Sequence, residues 1–512
     1  MDSERLTPVE EAQRRHWWIR FWVILALILA VLYWLVFENS YVVAHESERD
    51  HFLYGSIGSE TASGLPTWIF KALPKLYEEE LGAAGYRRFG FLYESPEAEL
   101  PIGVSKRVVS GIERVWLNCS ICHVGTWREA PAGERHLIVG APANNLKLYD
   151  FIQFLRRAAV DNRFNAENLI AAINSDEVGG DLGPLDRLLY RTVIVDRVRQ
   201  GLLEVRAQLA FMDRQHDWGP GRVDTFNPYK AIQFNFPMGP DAIDAVALNG
   251  SSDYPSIWQQ RPREGMQLHW DGNNTSVAER NLSAALGAGV TPVTVDRPRI
   301  HRVADWLMDL PAPPFPKPEA IDATRAEQGR AIYARTCAAC HGMKTGEEGD
   351  ESYDYDTNRY PRLGKVVALN RIGTDRGRWA SYDAGFAAAQ NLLYSGYPWR
   401  FSRFRKTEGY ANHPLDGIWA RSPYLHNGSV PTLRDLLEPA ARRPAVWLRG
   451  SDVYDFAKVG YRADGAGAAA TELFRYDTTV PGNSNRGHEG RAYGTALSPA
   501  EKDALVEYMK TL

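Results

Sequence analysis

Cys119-Ser-Ile-Cys122-His123 and Cys337-Ala-Ala-Cys340-His341 are two copies of one spacing, C-x-x-C-H, and together they use all four cysteines of the chain. Two thiols one helical turn apart add to the two vinyl groups of a haem, and the histidine that follows turns its imidazole to the iron. A lone C-x-x-C also serves as a redox dithiol or as half of a zinc site. The repeated histidine, with no further cysteine, favours two covalently bound haem c groups. Cys119, Cys122, Cys337 and Cys340 are then the attachment points, with His123 and His341 the proximal iron ligands.

Helices must hold such motifs in place. Residues 323–333 repeat apolar positions at helical spacing and lead straight into Cys337. The C-terminal segment opens with Ser498 as a cap, Pro499 in the first turn and Glu501 completing a capping box. Its apolar face is Ala504, Leu505, Tyr508 and Met509. A first and a last helix crossing beside a haem is the cytochrome c arrangement. The first half repeats the plan loosely and closes with a helix over Arg299–Leu310. Pro311-Ala-Pro-Pro-Phe-Pro-Lys-Pro318 cannot continue a helix and reads as a stiff linker. The expected fold is mainly α with little sheet: two tandem cytochrome c-like domains with long loops, over 45–310 and 319–512. The Gly/Ala run Gly460–Ala470 reads as a surface loop.

Phe21 to Phe37 is a run of 17 uncharged residues, and Trp17, Trp18 and Ile19 extend it. About 20 such residues span a bilayer core. Arg14, Arg15 and Arg20 precede the run, whereas Glu38, Glu46 and Glu48 follow it. The positive-inside rule puts 1–16 in the cytoplasm, makes 17–37 a single-pass inner-membrane anchor and exports the rest to the periplasm. A cleaved signal peptide, with Val42-Val43-Ala44 as a poor cleavage site, is the alternative. The formal net charge of −4 excludes a broad nucleic-acid surface.

Two longer stretches resemble the bacterial dihaem cytochrome c peroxidase superfamily. They are the run from Trp258 to His269-Trp270-Asp271-Gly272 and the run Gly417 to Leu433, with Pro423-Tyr424-Leu425-His426-Asn427-Gly428 at its centre. The run His269–Asn274, then Glu279–Gly289, and Gly482-Asn-Ser-Asn-Arg-Gly-His488 are similar to its rubber oxygenase-like branch. The resemblance covers roughly residues 90–512.

The resemblance implies roles for single residues. Trp270 would lie between the haems and relay electrons, with Trp258 the second candidate; core packing is the alternative for both. The loop Asn281–Gly289 would cover the open face of the first haem. Its apolar residues, Leu286 among them, suit an O2 pocket for an apolar substrate. Peroxidases of the superfamily carry a ligating Met where this chain has Leu425, and Leu cannot coordinate iron. In the oxygenase-like branch a His near the C-terminus is the sixth ligand of the second haem, and His488 matches it. His426 is the rival, with a propionate or neighbouring contact as its bland role. His136 is near enough in sequence to His123 to be a displaceable ligand of the first haem, or simply a polar loop residue. Arg222, in Asp217–Asn227, would pair with a haem propionate, unless that run is only a turn held by Asp and Asn. A calcium ion between the domains would follow from the family, with no ligands assignable.

Three functions follow as expectations. The leading one is an oxidoreductase activating O2 at the His123 haem, on an unsaturated hydrocarbon or acyl chain, while the His341 haem passes electrons. The second is a peroxidase reducing H2O2 with electrons from a periplasmic partner. Its distal carboxylate is missing, because Glu279 and Asp296 stand away from the expected position. The third is an anchored, non-catalytic electron carrier exchanging electrons with periplasmic partners.

Overall fold

The computed structural model describes residues 7–34, 39–345, 352–465 and 473–512. Part of the anchor reading (35–37), of the cytoplasmic tail (1–6) and of the Gly460–Ala470 loop (466–470) lies outside them. Thr7 caps the first helix, Pro8–Tyr33, in a capping box with Glu10. None of that helix is buried against the rest of the protein. At about 1.5 Å per residue it is long enough for the ~30 Å hydrocarbon core of a bilayer. Among the described residues it is the one helix with the length and apolar character to cross a membrane, properties that a signal sequence shares.

Among the described residues sheet is confined to short strands of two to six residues, in keeping with the mainly α expectation. Strands β1 (Tyr41–Val42), β2 (Leu65–Pro66), β3 (Val104–Val109) and β4 (Ile112–Leu117) form a sheet in the order β1-β3-β4-β2, with antiparallel neighbours. Ser110 and Gly111, both at positive φ, make the two-residue turn between β3 and β4. Strands β5 (Val124–Trp127) and β6 (His136–Val139) form a hairpin directly after the first haem motif. Strands this short carry too few alternating positions to stand out from loop in the sequence. The helices Thr67–Leu76 and Ala166–Ile173 share a core with Val104 and Val115 of the sheet.

The second core has the expected crossing. Helix Ala323–Thr336 lies against helix Pro499–Met509, whose Ser498–Glu501 capping box is present as read. Gly329 sits at the contact: a Cβ there would stand 1.9 Å from the carbonyl oxygen of Ala504. Tyr333 and Tyr508 pack ring to ring at 5.1 Å beside it. Only a glycine lets the two backbones approach this closely.

The proline segment is packed rather than free. Phe315 is buried in the second core, and Trp419 donates its indole N–H to the Pro313 carbonyl at 2.8 Å. Trp127, Ile138, Trp258 and Met266 from before the segment join the same core. Buried ion pairs also cross it: Arg449–Asp253 at 2.7 Å and Arg263–Asp416 at 2.5 Å.

Candidate functional site

In both C-x-x-C-H motifs a backbone carbonyl holds the histidine. Cys119–Ile121 is a single 3-10 turn capped by Asn118, whose side chain also donates to the carbonyls of Leu53 and Gly55. His123 is half-buried, and its Nδ1 donates to the Pro255 carbonyl at 3.0 Å. In the second motif Nδ1 of His341 donates to the His413 carbonyl at 2.7 Å. A carbonyl acceptor fixes the proton on Nδ1 and leaves Nε2 with a free lone pair, the tautomer a metal requires. Burial pushes the His123 pKa down to about 4 and lowers that of His341, so both rings are neutral. Burial also pushes the Cys119 thiol up to about 11, and Cys122 and Cys337 to about 12. None is the poised thiolate that dithiol chemistry uses. Among the described residues no three His, Cys, Asp or Glu side chains converge as a metal cage, so neither a zinc site nor a calcium site of that kind is assigned.

A cavity of about 1200 Å³ runs from Tyr254 and Pro255, beside His123, to His341 and His488. This exceeds the roughly 300–1,000 Å³ of an ordinary ligand pocket. The rings of His341 and His488 both line it, with centres 6.3 Å apart. Two imidazoles on opposite sides of one iron, with metal–nitrogen bonds of about 2.0–2.1 Å and roughly 1.1 Å from nitrogen to ring centre, would stand about 6.3 Å apart. The gap therefore fits a haem iron.

The His488 turn is built for this placement. His488 lies at φ +49° with its N–H on the Ile372 carbonyl at 2.7 Å. A Cβ on Gly487 would stand 2.3 Å from the Gly373 carbonyl carbon, so the turn presses on that strand of chain. Arg443 donates to the carbonyls of Gly487 (2.9 Å) and His488 (3.3 Å). The Nδ1 of His488 has no hydrogen-bond partner among the described residues, and the ring packs on Tyr493 with centres 4.7 Å apart. His426 also lines the cavity, but it stacks on Tyr410 with ring centres 4.0 Å apart.

The wall carries eight basic side chains and one carboxylate, Asp253, which Arg449 already holds. Arg280 is half-buried, and among the described residues it forms no ion pair. Its guanidinium reaches only the Asn281 amide oxygen, at 3.1 and 3.3 Å. Burial, with Arg263 nearby, pulls its pKa down to about 10. Arg263 and Arg421 share a single carboxylate, Asp416. Buried cations without counter-ions cost several kcal/mol each. The propionates of haem are anions of the kind this wall lacks.

Trp270 lines the cavity between the two motifs. Its indole N–H donates to the Asp253 carbonyl at 2.8 Å, two residues before the Pro255 that holds His123. Its ring meets His413, whose carbonyl holds His341, edge to face at 5.6 Å. Trp270 is thus linked to His123 through the segment Asp253–Pro255 and to His341 through His413. Leu286, on helix Val277–Gly287, is buried with Leu282 and Ala285 in an apolar cluster against which Cys119 packs.

Three candidate residues stand away from the cavity, among other partners. Arg222 does not face the cavity; it is fully buried and donates to Asn483 and to the carbonyls of Trp218, Ser251 and Gly482. The turn reading fits that run better, because Asp224 accepts from Asn227 and from the Phe226 backbone. Trp258 lies behind the cavity wall, with its indole N–H on the Asp416 carbonyl and Arg421 over its face. His136 pairs across the hairpin with Trp127 and stacks on it at 4.2 Å, three residue pairs from the end that adjoins His123. The sequence reading missed His413, Arg280 and Arg443. His413 precedes the Gly417–Leu433 run by four residues, Arg280 lies within the Glu279–Gly289 run without being singled out there, and Arg443 carries no local signal.

Two family models match this chain: "RoxA-like, cytochrome c-like" over residues 409–448, and "Cytochrome C oxidase, cbb3-type, subunit III" over 324–381. The second covers the Cys337–His341 motif, and the first covers His413 and His426. The uncharacterized protein y4iM of Sinorhizobium fredii (strain NBRC 101917 / NGR234) is 34% identical over 321 residues, 52% of this chain and 69% of its own length. The uncharacterized protein y4iJ of the same organism is 27% identical over 524 aligned positions, 83% of this chain and 84% of its own length. The chain belongs to the family that includes y4iM, and its cytochrome c domains make it a haem c protein of electron transfer or oxidoreduction.

Proposed function

We propose that this is a membrane-anchored, periplasmic dihaem oxidoreductase that activates O2 at the His123 site and moves electrons through the His341 site. The observation that carries this reading is the unlike surroundings of the two motifs. At the second, the His488 and His341 ring centres lie 6.3 Å apart. At the first, an apolar cluster with Leu282, Ala285 and Leu286 packs on Cys119. Haem, when bound, supplies the electron exchange and the oxygen chemistry.

The protein's own residues do the rest. His341 and His488 would hold the iron of the group at the second site, and the group there would supply electron transfer. Arg280, Arg263 and Arg421 would hold propionates. Leu286 and its neighbours exclude water from the first site and favour an apolar substrate, an unsaturated hydrocarbon or acyl chain. Trp270, tied to the backbone beside each proximal histidine, would carry electrons between the sites. The haem-binding halves would be residues 45–310 and 319–512.

The peroxidase reading has less support. Peroxide cleavage uses a distal acid–base group. Glu279 accepts instead from the backbones of Ser402 and Arg403, both at 3.0 Å, and Asp296 is paired with Arg107 and Arg299.

The test is O2 uptake by the purified protein with an unsaturated acyl lipid, with carbonyl products followed by mass spectrometry. O2-dependent carbonyl formation supports the proposal. Oxidation of a reduced small cytochrome by H2O2, without O2 uptake, would replace it with the peroxidase reading.

A further inference from the structure

We propose that an apolar rim beside helix Val277–Gly287 docks on the bilayer that the N-terminal helix enters. This deepens the reading above and rests on that helix being an anchor. The rim consists of Ile232, Phe236, Val293, Leu392, Tyr397 and Trp399. Val293 is 91% exposed and Leu392 67%. Phe236 and Trp399 are half-buried and pack on the cluster that contains Leu282, Ala285 and Leu286. Grouped exposed apolar side chains mark an interaction surface, whereas single scattered ones do not.

The course of the chain names the occupant. Tyr33 ends the membrane-length helix and Tyr41 opens β1. Eight residue steps reach at most about 28 Å. Within β1, Val42 pairs with Arg107 of β3, and the Arg107 guanidinium pairs with Asp296. Arg302 holds the carbonyls of His45 and Glu46 at 3.0 and 3.1 Å. Val293 stands three residues before Asp296. The first folded residues after the helix and the rim therefore share one corner of the protein.

The other exposed apolar group, Leu185, Leu188, Leu189 and Val193, is elsewhere. It follows helix Ala166–Ile173, which packs on helix Thr67–Leu76 after β2, at the opposite sheet edge from β1. The rim chemistry also suits an interface: the Arg297 guanidinium lies over the Trp399 ring at 3.8 Å, offering a cation beside an aromatic at headgroup depth. Docked this way, Leu286 stands between lipid and Cys119. An acyl chain would then enter the first site from the membrane without crossing water.

The test uses the full-length, haem-loaded protein in nanodiscs of phosphatidylcholine and phosphatidylglycerol. Nitroxide labels go on Ile28→Cys, Val293→Cys, Leu392→Cys or Leu185→Cys, one at a time. Power-saturation EPR compares collisions with O2, which concentrates in lipid, and with a water-soluble nickel chelate. The proposal expects O2-preferring labels at 28, 293 and 392 and a nickel-preferring label at 185. Nickel-preferring labels at 293 and 392 with a lipid-like label at 28 would overturn the docking rim while leaving the anchor. Water-like labels at 28, 293 and 392 would remove both. A lipid-like label at 185 with water-like labels at 293 and 392 would mean that the opposite face docks, which also overturns the proposal.

Discussion

Gly487→Ala tests the turn that presents His488. The added Cβ would stand 2.3 Å from both the Gly373 carbonyl carbon and the Thr374 nitrogen. Ordinary contacts are about 3.5–4.0 Å, so the turn must yield by roughly 1.2 Å or more. The φ of +81° adds a left-handed penalty. That penalty is about 1–2 kcal/mol and overpacking costs about 1–3, so the sum is about 2–5 kcal/mol. Against total stabilities of about 5–15 kcal/mol, a shift of the turn relieves the clash more cheaply than unfolding. A metal–imidazole bond of about 2.0–2.1 Å does not survive a displacement of that size. The expected outcome is loss of one low-spin haem signal in EPR and in the visible spectrum, with both haems still attached on a denaturing gel. Gly490→Ala is the control: its φ is +103°, but nothing lies within 4 Å of the added Cβ. A wild-type spectrum for Gly487→Ala, or an identical change in Gly490→Ala, would refute the reasoning.

Other outcomes follow from the same geometry. Gly329→Ala drives a methyl onto the Ala504 carbonyl and should cost about 1–3 kcal/mol, read as a fall in Tm with unchanged spin states. Trp270→Phe removes the N–H on Asp253; electron equilibration between the haems, followed after rapid partial reduction, should slow while both spectra stay as in wild type. Arg280→Gln takes a half-buried positive charge from the cavity wall, which favours the oxidised haem. At an effective dielectric near 20 and about 10 Å, one charge is worth ~1.7 kcal/mol, so one midpoint potential should fall by about 70 mV in a redox titration. An unchanged potential would place the propionates elsewhere.

The parts legible in the sequence were those with local rules. The two C-x-x-C-H motifs, the Ser498–Glu501 capping box and the apolar N-terminal helix each depend on neighbours within a few residues. The short strands escaped notice because two to six residues give too little alternation. Arg222 was read as a cofactor contact from its local run, yet its partners Asn483 and Gly482 lie some 260 residues away. Trp258 and His136 likewise have ring partners, Arg421 and Trp127, that only the tertiary structure supplies. Trp270 is the opposite case. It lies beside Asp253 and His413 on the cavity wall, although nothing in its own neighbourhood encodes those contacts.

The most direct measurement is low-temperature EPR of the haem-loaded protein, wild type and His488→Ala, with integrated spin counts. The account predicts one bis-histidine low-spin haem and one haem that is high-spin or perturbed by O2, and a second high-spin haem once His488 is removed. Two low-spin haems that ignore O2 and are unchanged in His488→Ala would contradict it and leave an electron carrier with a different ligand set.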